Sequence, residues 1–376
     1  MNKIADRFSN LQKMALELNK AATVKWVSIF VLIVIISGML YYIITKNMLN
    51  KQNCDNLDKV YTGFPTISSF NENDEKYSYN LRDYYIKSAY NCCASGQFKN
   101  DFVNTCALKK CIEQGARMLD FEIYSVDNEP VIAISTENNF HVKQSYNSVK
   151  FDEAMNIVST YGFSGSTCPN SNDPLILHFR IMSSNKDIYT KMADSIYKNL
   201  ERRILDKTYS YEYYGHNLGA VPLKTFVGKI IIAVDRSNPL FQQTPLFEYV
   251  NIASNSIFLR AARNYDIIYT PDMQELIEYN KKNMTFSMPD LGPSDANVQA
   301  SLHQKYGVQM VGMCFQNFDS NMEYYDLFFD AVGSAFVLKP APLRFVPLTI
   351  PEPTKQNPEL SYKERTVESD FYKFNI

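Results

Sequence analysis

Two pairs of ionisable side chains stand on two short apolar segments, and one residue separates the members of each pair. Asp120 and Glu122 lie in MLDFEIYSV, and His178 and Arg180 lie in DPLILHFRI. Because side chains alternate between the two faces of a β-strand, each pair falls on one face. Carboxylates and an imidazole on neighbouring strands can perform acid–base catalysis or hold a metal ion. The four groups can instead form a buried ion-pair network without a ligand. We favour the ion-pair network, because ion pairs with a purely structural role often have the same residue types and spacing as active sites.

The remaining histidines and the cysteines give weaker signals. His141, His216 and His303 are interpreted as ordinary loop histidines. The seven cysteines include no CxxC pair, which argues against a zinc ribbon or a thioredoxin-like motif. Four of them crowd between positions 92 and 111. An oxidising compartment would favour one or two disulfides here, whereas a reducing one would leave free, partly buried thiols.

The composition is that of a globular protein, with 21% charged and 14% aromatic residues. The net charge of −2 gives no overall basic field, so we expect no nucleic-acid partner. Asn, Lys, Tyr and Ile are frequent, whereas Trp and Gly are scarce. This bias is typical of AT-rich genomes, and a viral membrane or virion would suit it.

The segment from residue 25 to 45 is the strongest single feature of the sequence. Trp26 to Ile44 carries no charge over 19 residues. As a helix it would rise about 28 Å, close to the hydrocarbon thickness of a bilayer. Trp26 and the Tyr41–Tyr42 pair stand near its ends, as interfacial aromatic residues do. A cleaved signal peptide is disfavoured, because the preceding segment is long and no small-x-small cleavage site follows. The sequence therefore predicts one transmembrane helix, with the lipid bilayer as a partner.

Flanking charges bear on the orientation of this helix. Three lysines precede the span and three follow it: Lys13, Lys20 and Lys25, then Lys46, Lys51 and Lys59. Lys3 and Arg7 shift the balance towards a cytoplasmic N-terminus. We therefore expect a single-pass membrane protein whose C-terminal domain lies on the non-cytoplasmic side.

The rest of the chain divides by pattern. Residues 1–24 predict an amphipathic helix that could lie on the membrane or pair with a partner helix; its apolar face comprises Ile4, Phe8, Leu11, Ala15 and Leu18. Residues 46–79 form a polar connector, and residues 346–376 form a proline-containing tail that we interpret as an extended arm. Between residues 80 and 345, short apolar strands alternate with helical stretches. This predicts an α/β fold of the size of a (β/α)₈ barrel.

Several segments of this region, taken in order, resemble the catalytic barrel of eukaryotic phosphoinositide-specific phospholipase C. Residues 80–205 resemble its X half, through IKSAYN (Ile86–Asn91), CIEQGARMLDFEIY (Cys111–Tyr124), EPVIAI (Glu129–Ile134) and DPLILHFR (Asp173–Arg180). Residues 222–345 resemble its Y half, through VGKIII (Val227–Ile232), GVQMVGMCFQ (Gly307–Gln316) and FVLKPAPLR (Phe336–Arg344). Residues 206–221 would link the halves. The resemblance implies a TIM-type (β/α)₈ barrel of the phospholipase-C-like phosphodiesterase superfamily, preceded here by one transmembrane helix.

The resemblance also assigns the family's functional positions to residues of this chain. The two catalytic histidines, which stabilise the phosphoryl transition state and protonate the leaving oxygen, fall on Tyr90 and Ile134. The calcium ligands fall on Asn91, Asp120, Glu122 and Arg180. The two substrate-binding lysines fall on Ala233 and Asp235, and the residues that clamp the inositol ring fall on Met284 and Phe286.

These residue types cannot perform the family's reaction. Ile134 cannot donate a proton, and Tyr90, with an ordinary pKa near ~10, cannot supply imidazolium charge. Arg180 cannot ligate a cation, but it could take the place of the metal and neutralise the carboxylates. Asp235 would repel phosphates. We therefore predict a pseudoenzyme with no confident catalytic or substrate-binding residue and with no metal or other cofactor, the family's calcium having been lost. Its role would be structural, binding or in assembly with protein partners in a membrane.

The alternative is a diverged phosphodiesterase that acts on phosphoinositides or other phosphodiesters through His178, Asp120 and Glu122, with or without a metal. His141, in the loop after Ile134, would then be a candidate to replace the lost acid. An inward pairing of Arg180 with the carboxylates would favour the pseudoenzyme, whereas an open cation site with correct ligand distances would favour the enzyme.

Overall fold

The computed structural model of the chain describes residues 2–138, 142–347, 352–357 and 360–376. The chain forms two compact units, Met1–Arg344 and Phe345–Ile376. His141 lies outside the described residues. So do the side chains of Ile4, Phe8 and Leu18 from the predicted amphipathic face.

The helices and strands are numbered in chain order. The helices are α1 (Asn2–Val60), α2 (Thr105–Glu113), α3 (Phe151–Tyr161), α4 (Lys186–Leu200), α5 (Ser210–Tyr213), α6 (Asn264–Ile268), α7 (Met273–Lys282), α8 (Ala300–Lys305) and α9 (Ser320–Asp330). The strands are β1 (Tyr84–Ala89), β2 (Met118–Val126), β3 (Glu129–Ile132), β4 (Val149–Lys150), β5 (Leu175–Ile181), β6 (Ile230–Asp235), β7 (Ile252–Ser254), β8 (Leu259–Arg263), β9 (Met284–Met288), β10 (Met310–Met313), β11 (Phe336–Leu338), β12 (Thr366–Glu368) and β13 (Lys373–Asn375).

Eight parallel strands form a nearly closed barrel, in the order β7-β6-β5-β2-β1-β10-β9-β8. β11 pairs with β1 in the antiparallel sense, and β3 and β4 extend β2 as an antiparallel ribbon. This architecture confirms the predicted (β/α)₈-type barrel. The carboxyl ends of the parallel strands define one end of the barrel, which we call the mouth end, and this is the end at which such barrels carry their functional sites.

The barrel strands are buried almost throughout. Every residue of β5 is buried, and so are the first five residues of β6. A strand that is covered by helices outside the barrel and by side chains inside it has a nearly continuous apolar sequence. This explains the sequences of β5, LILHFRI, and of β6, IIIAVD. His178 and Arg180 interrupt the run of β5, so both polar groups must find partners inside the barrel.

α1 extends further than the sequence indicated. The helix continues without interruption to Val60, so residue 45 is not an element boundary. Residues 46–60 contain neither Pro nor Gly to stop it, and the connector to the barrel starts at Tyr61. The most apolar 18-residue window of α1 has a mean hydropathy of 2.6 and is not buried. α1 is therefore long and apolar enough to cross a membrane.

The C-terminal part of α1 packs on the barrel. Leu57 and Tyr61 are buried, and the Tyr61 hydroxyl donates a hydrogen bond to the carbonyl oxygen of Phe315 (3.0 Å). Cys54 forms a disulfide with Cys106 at the start of α2. Of the four crowded cysteines, Cys106 alone pairs, with a partner outside the cluster. Cys92, Cys93, Cys111, Cys168 and Cys314 are buried free thiols.

The predicted linker and tail carry more structure than expected. Residues 206–221 do not divide the barrel, because β5 and β6 on either side of them pair directly. Within this segment, Tyr211–Tyr214 have left-handed backbone conformations, with φ between 51° and 55°, which is uncommon outside glycine. In the tail unit, β12 and β13 form an antiparallel hairpin, so the tail is more than an extended arm.

Candidate functional site

The strand register brings the four candidate side chains together. In the parallel pair β2–β5, Asp120 lies opposite His178 and Glu122 lies opposite Arg180. All four residues are at most 2% exposed. The shared faces predicted from the alternation therefore meet inside the barrel towards the mouth end.

The Arg180 guanidinium lies at the centre of this cluster. Its Nη2 donates to Asn91 Oδ1 (2.6 Å) and to Asp120 Oδ2 (2.9 Å). Its Nε donates to Asp120 Oδ1 (3.0 Å), and its Nη1 donates to Glu122 Oε2 (3.0 Å). One arginine thus satisfies two carboxylates and one amide oxygen, and such charge-assisted bonds are the strong ones.

The turn after β1 covers the guanidinium. Asn91 has a left-handed backbone conformation, with φ of 44°, and its N–H donates to Asp120 Oδ2 (3.1 Å). The Tyr90 ring lies against Arg180, with 4.9 Å between the guanidinium carbon and the ring centroid. The Tyr90 hydroxyl accepts a hydrogen bond from Arg263 Nη1 (3.2 Å). Tyr90, at the position of a family histidine, therefore helps to enclose Arg180.

His178 is held through both ring nitrogens. Nδ1 is 2.7 Å from Asp120 Oδ1, and Nε2 is 2.8 Å from the Ser254 hydroxyl. The Phe286 ring packs edge-on against the imidazole at 5.1 Å. An acid–histidine–serine chain of this kind is found in hydrolases, but here Asp120, His178 and Ser254 are all 0% exposed. The imidazole therefore has no free nitrogen for a substrate in this arrangement.

The two carboxylates differ in their electrostatics. Burial opposes ionisation of Asp120, but the Arg180 charge and the hydrogen bond from His178 outweigh it and lower the pKa of Asp120. Burial raises the pKa of Glu122, and Arg180 offsets this only in part. Arg180 itself loses hydration on burial, yet the charge of Asp120 raises its pKa well above the usual value. The ion pair between Asp120 and Arg180 is therefore the charged core of the cluster.

Glu122 has further partners beside Ile134. The Tyr124 hydroxyl donates to Glu122 Oε1, and the Ser135 N–H donates to the same oxygen (3.2 Å). Ile134, at the position of the second family histidine, is 2% exposed. Its carbonyl oxygen accepts from the N–H of Gln144 (2.8 Å). The Ile134 side chain itself offers no proton in place of the missing imidazole.

The positions matched to substrate-binding residues offer no cation. Ala233 on β6 and Met284 and Phe286 on β9 are each at most 1% exposed. Asp235, at the end of β6, accepts from the Ser237 N–H (2.8 Å) and from Asn255 Nδ2 (2.8 Å). This carboxylate closes a turn where the family would bind a phosphate.

The calcium ion implied by the resemblance does not fit these residues. Asn91, Asp120 and Glu122 are residues that would hold the ion, and each accepts a hydrogen bond from Arg180 through its side chain. A permanent positive charge at the centre of the ligand set would repel a divalent cation. Among the residues that the structure describes, no three His, Cys, Asp or Glu side chains are arranged to hold a metal ion.

Some residues near the site were missed or misread from the sequence. Ser254 gave no signal, because it reaches His178 from a strand far along the chain. Tyr124 continues the alternation of Asp120 and Glu122 and could have been found by that rule. The interpretation of His303 as a loop histidine is wrong. It lies in α8, it is 0% exposed, and burial lowers its pKa to about 4.

His303 and His216, the two described histidines outside the cluster, have different surroundings. His303 bonds through its ring nitrogens to Ser287 Oγ (2.8 Å) and Asn264 Oδ1 (3.0 Å). It is thus a neutral core histidine that bridges strand and helix. His216 lies in a loop, as predicted, with its ring 5.3 Å from that of Tyr213.

Comparisons with known proteins agree with the barrel. Residues 77–236 match the family model of the phosphatidylinositol-specific phospholipase C X domain. Among solved structures, the chain is similar to PLC21 of L. pealei, with a TM-score of 0.60 and 17% identity over 72% of this chain. It is also similar to PLC21 of S. officinalis, with a TM-score of 0.58 and 17% identity over 72% of this chain. The match covers 38% of the length of either PLC21 chain. No curated protein matches the sequence.

Proposed function

We propose that this phospholipase-C-like barrel is a membrane-anchored pseudoenzyme with a role in structure, binding or assembly. The observation that carries the proposal is Arg180, whose guanidinium bonds to both carboxylates and to the amide at the positions of the family's metal ligands. In the family's reaction the metal ion activates the nucleophile and offsets the charge of the phosphate. A barrel that cannot hold this ion lacks the main electrostatic stabilisation of the transition state.

The chemistry of the flanking positions supports the same proposal. General acid catalysis alone contributes about 10²–10⁴-fold to such reactions, and Ile134 has no proton to give. Tyr90 is engaged with Arg180 and Arg263. The diverged-phosphodiesterase alternative needs His178 to reach a substrate, but both of its ring nitrogens are occupied inside the barrel.

The turnover test uses the full-length chain in mixed micelles that contain phosphatidylinositol, with and without calcium. We expect no calcium-dependent release of inositol phosphate and no calorimetric sign of specific calcium binding at micromolar concentration. Turnover that disappears in Asp120→Ala or Glu122→Ala, but persists in the exposed control Asp152→Ala, would establish an enzyme instead.

α1 supports the membrane anchor. Its exposed apolar segment begins at Trp26, the single tryptophan of the chain. Tryptophan emission therefore reports on this helix alone. We expect it to shift to the blue when the chain is reconstituted into vesicles, and we expect the chain to resist alkaline extraction. Release of the chain by alkaline carbonate would refute the anchor.

The disulfide supports a non-cytoplasmic barrel. Cys54 lies just after the apolar segment and is bonded to Cys106 of the barrel, and such bonds persist in oxidising compartments. Protease protection of the barrel in sealed vesicles tests this orientation, which digestion from the cytoplasmic side would overturn. The composition further supports a viral membrane or virion as the setting, and detection of the chain in purified virus particles is the corresponding test.

A further inference from the structure

α1 and α2 lie side by side in a fixed register. The contacts, in order along α1 and the segment after it, are Asn50 with Asn104 (3.0 Å), Cys54 with Cys106 (disulfide), Asp58 with Lys110 (2.9 Å) and Gly63 with Gln114 (2.8 Å). Residue numbers rise together on both sides, so the two helices run in the same direction. The disulfide fixes this pairing covalently.

The direction of α2 shows where the rest of α1 goes. α2 follows the turn after β1, so its start lies at the mouth end and its last residues lie near the other end of the barrel. Since α1 runs parallel to α2 from Asn50 onwards, the helix upstream of Asn50 projects beyond the mouth end. The apolar segment ends at Ile44, about 9 Å along the helix from Asn50.

A lysine just after the apolar segment joins that segment to a barrel loop. Lys46 Nζ lies 5.9 Å from the centroid of the Tyr42 ring and 3.7 Å from the centroid of the Tyr146 ring. Tyr146 is tied to the turn after β1 through its N–H, which donates to the Asp101 carbonyl oxygen (2.8 Å). This contact places a loop of the mouth end beside the boundary of the predicted span.

We infer that the mouth end of the barrel is docked on the lipid headgroups of the bilayer that α1 spans, with Tyr146 in the headgroup layer and Lys46 and Lys143 against lipid phosphates. The inference rests on the proposed membrane anchor. The headgroup layer is roughly 5–7 Å thick on each side. The contact of Tyr146 with Lys46, about 3 Å along the helix from Ile44, therefore falls inside it, whereas the start of α2, about 9 Å from Ile44, falls just beyond it. Interfacial tyrosines and lysines that face phosphate are the usual residues at this depth.

The two lysines come from different parts of the chain. Lys46 belongs to α1, and Lys143 belongs to the loop that carries Tyr146. Lys143 Nζ donates to the carbonyl oxygens of Ser145 (2.8 Å) and Asn147 (3.3 Å), so its ammonium group is held near the loop. Two cations so placed favour an anionic surface over a neutral one.

The experiment measures the depth of two labelled positions in the full-length chain. An environment-sensitive fluorophore is attached to Val142→Cys in the mouth-end loop or to Val332→Cys after α9, near the opposite end. The two valines are similarly exposed, at 56% and 49%. The chain is reconstituted in vesicles of phosphatidylcholine and phosphatidylserine that carry a quencher on the headgroup. The parent chain, whose described free cysteines are buried, gives the background of labelling.

We expect strong quenching at position 142 and little at position 332. Equal, weak quenching at both positions in a chain that resists alkaline extraction would overturn the docking while leaving the membrane anchor intact. A chain that alkaline carbonate extracts would overturn both the anchor and the docking.

A second pair of variants tests the phosphate contacts. Lys46→Gln and Lys143→Gln should each lower the ratio of docked to undocked barrel about fivefold in anionic vesicles, with little change in phosphatidylcholine alone. Lys198→Gln, on the exposed end of α4, is the matched control. Equal behaviour of all three variants in anionic vesicles would contradict the assignment of these lysines to lipid phosphate.

Discussion

Two buried arginines stand near the two ends of the barrel, and they are held in different ways. Arg180, towards the mouth end, bonds to two carboxylates and one amide oxygen. Arg117, just before β2 at the other end, is 0% exposed, and its partners are neutral: the carbonyl oxygen of Gly162 (3.0 Å), the side chain of Asn170 (2.8 Å) and the thiol of Cys168. The mouth end therefore holds an ion-pair cluster, whereas the other end holds a charge solvated by dipoles.

The carboxyl groups near these two arginines differ in the direction of their pKa shifts. Asp120 bonds directly to Arg180, and its pKa is lowered despite complete burial. Asp173 is also buried, but the charge of Arg117 acts on it without a hydrogen bond between them, and burial raises its pKa to about 7. Hydrogen bonds from two guanidinium nitrogens, together with His178, thus keep the buried Asp120 carboxylate ionised, whereas the more distant charge of Arg117 does not offset the burial of Asp173. The ion pair of Asp120 and Arg180 at the mouth end is fixed in charge, while Asp173 at the opposite end titrates near neutrality.

Replacing either arginine by methionine tests this contrast with the largest expected effect. Arg180→Met leaves two buried carboxylates without their cation and should lower the free energy of unfolding by about 3–5 kcal/mol. Arg117→Met leaves neutral oxygens without a donor and should cost about 1–3 kcal/mol. Chemical denaturation of the full-length chain in micelles measures both losses. An equal or smaller loss for Arg180→Met would show that the cluster is not the tighter of the two sites.

The pH dependence of stability tests the titrating end. The pKa of Asp173 in the folded protein lies above the ordinary value of an aspartate. The contribution of this carboxyl group to the free energy of unfolding is therefore fully present below about pH 4, and it is lost as pH rises through about 7. Asp173→Asn removes this loss and keeps an oxygen for the Phe70 N–H (3.0 Å). We expect the variant to gain stability relative to the parent between pH 5 and pH 8, by at most about 4 kcal/mol.

Asp120→Asn is the control with the opposite sign. The folded pKa of Asp120 is lowered, so its contribution is present above about pH 4 and is lost at more acidic pH. This variant should therefore lose stability at neutral pH. Parallel curves for the parent and for Asp173→Asn across this range would contradict the titration of Asp173.

Arg180→Glu sharpens the comparison, because it rebuilds the family's acidic ligand at the mouth. The resemblance places a glutamate here beside Asn91, Asp120 and Glu122. We expect the variant to be unstable alone and to regain about 2.7 kcal/mol when calcium exceeds its dissociation constant a hundredfold. Arg117→Glu, at the other end, is the matched control and should not respond. Thermal unfolding with calcium and with magnesium gives the readout, and identical curves for Arg180→Glu with and without calcium would argue against the family's ligand geometry.

The barrel and the centre of the cluster could be predicted from the sequence because their signals are local. Runs such as LILHFRI indicate buried parallel strands, and the alternation of Asp120 with Glu122 and of His178 with Arg180 places each pair on one face. Strand register then brings the pairs together. The resemblance added the alignment that made Arg180 the replacement for a metal ligand.

The remaining features depend on contacts between distant segments. Ser254 meets His178 only because β7 pairs with β6 in the barrel, and nothing in its local sequence indicates this. The length of α1 was missed because residues 46–60 are polar, although polar residues continue a helix where one face packs on another element. Likewise, Cys54 had no reason to pair with Cys106 until the two helices were placed side by side.

The smallest expected effect concerns the outer limit of the cluster. Ser254 is joined to Arg180 only through His178 and Asp120. Ser254→Ala should therefore cost about 1 kcal/mol, the value of one neutral hydrogen bond. Ser287→Ala is the matched control, since Ser287 bonds to His303 in the same way (2.8 Å).

A double-mutant cycle between Ser254→Ala and Arg180→Met then tests whether the serine belongs to the ionic cluster. If His178 only fills space between the serine and Asp120, the two losses should add within about 0.5 kcal/mol. A coupling above about 1 kcal/mol would mean that the charge of Arg180 polarises the whole chain of hydrogen bonds. The mouth cluster would then extend across the barrel from β1 to β7, and its contrast with the Arg117 end would be one of size as well as of charge.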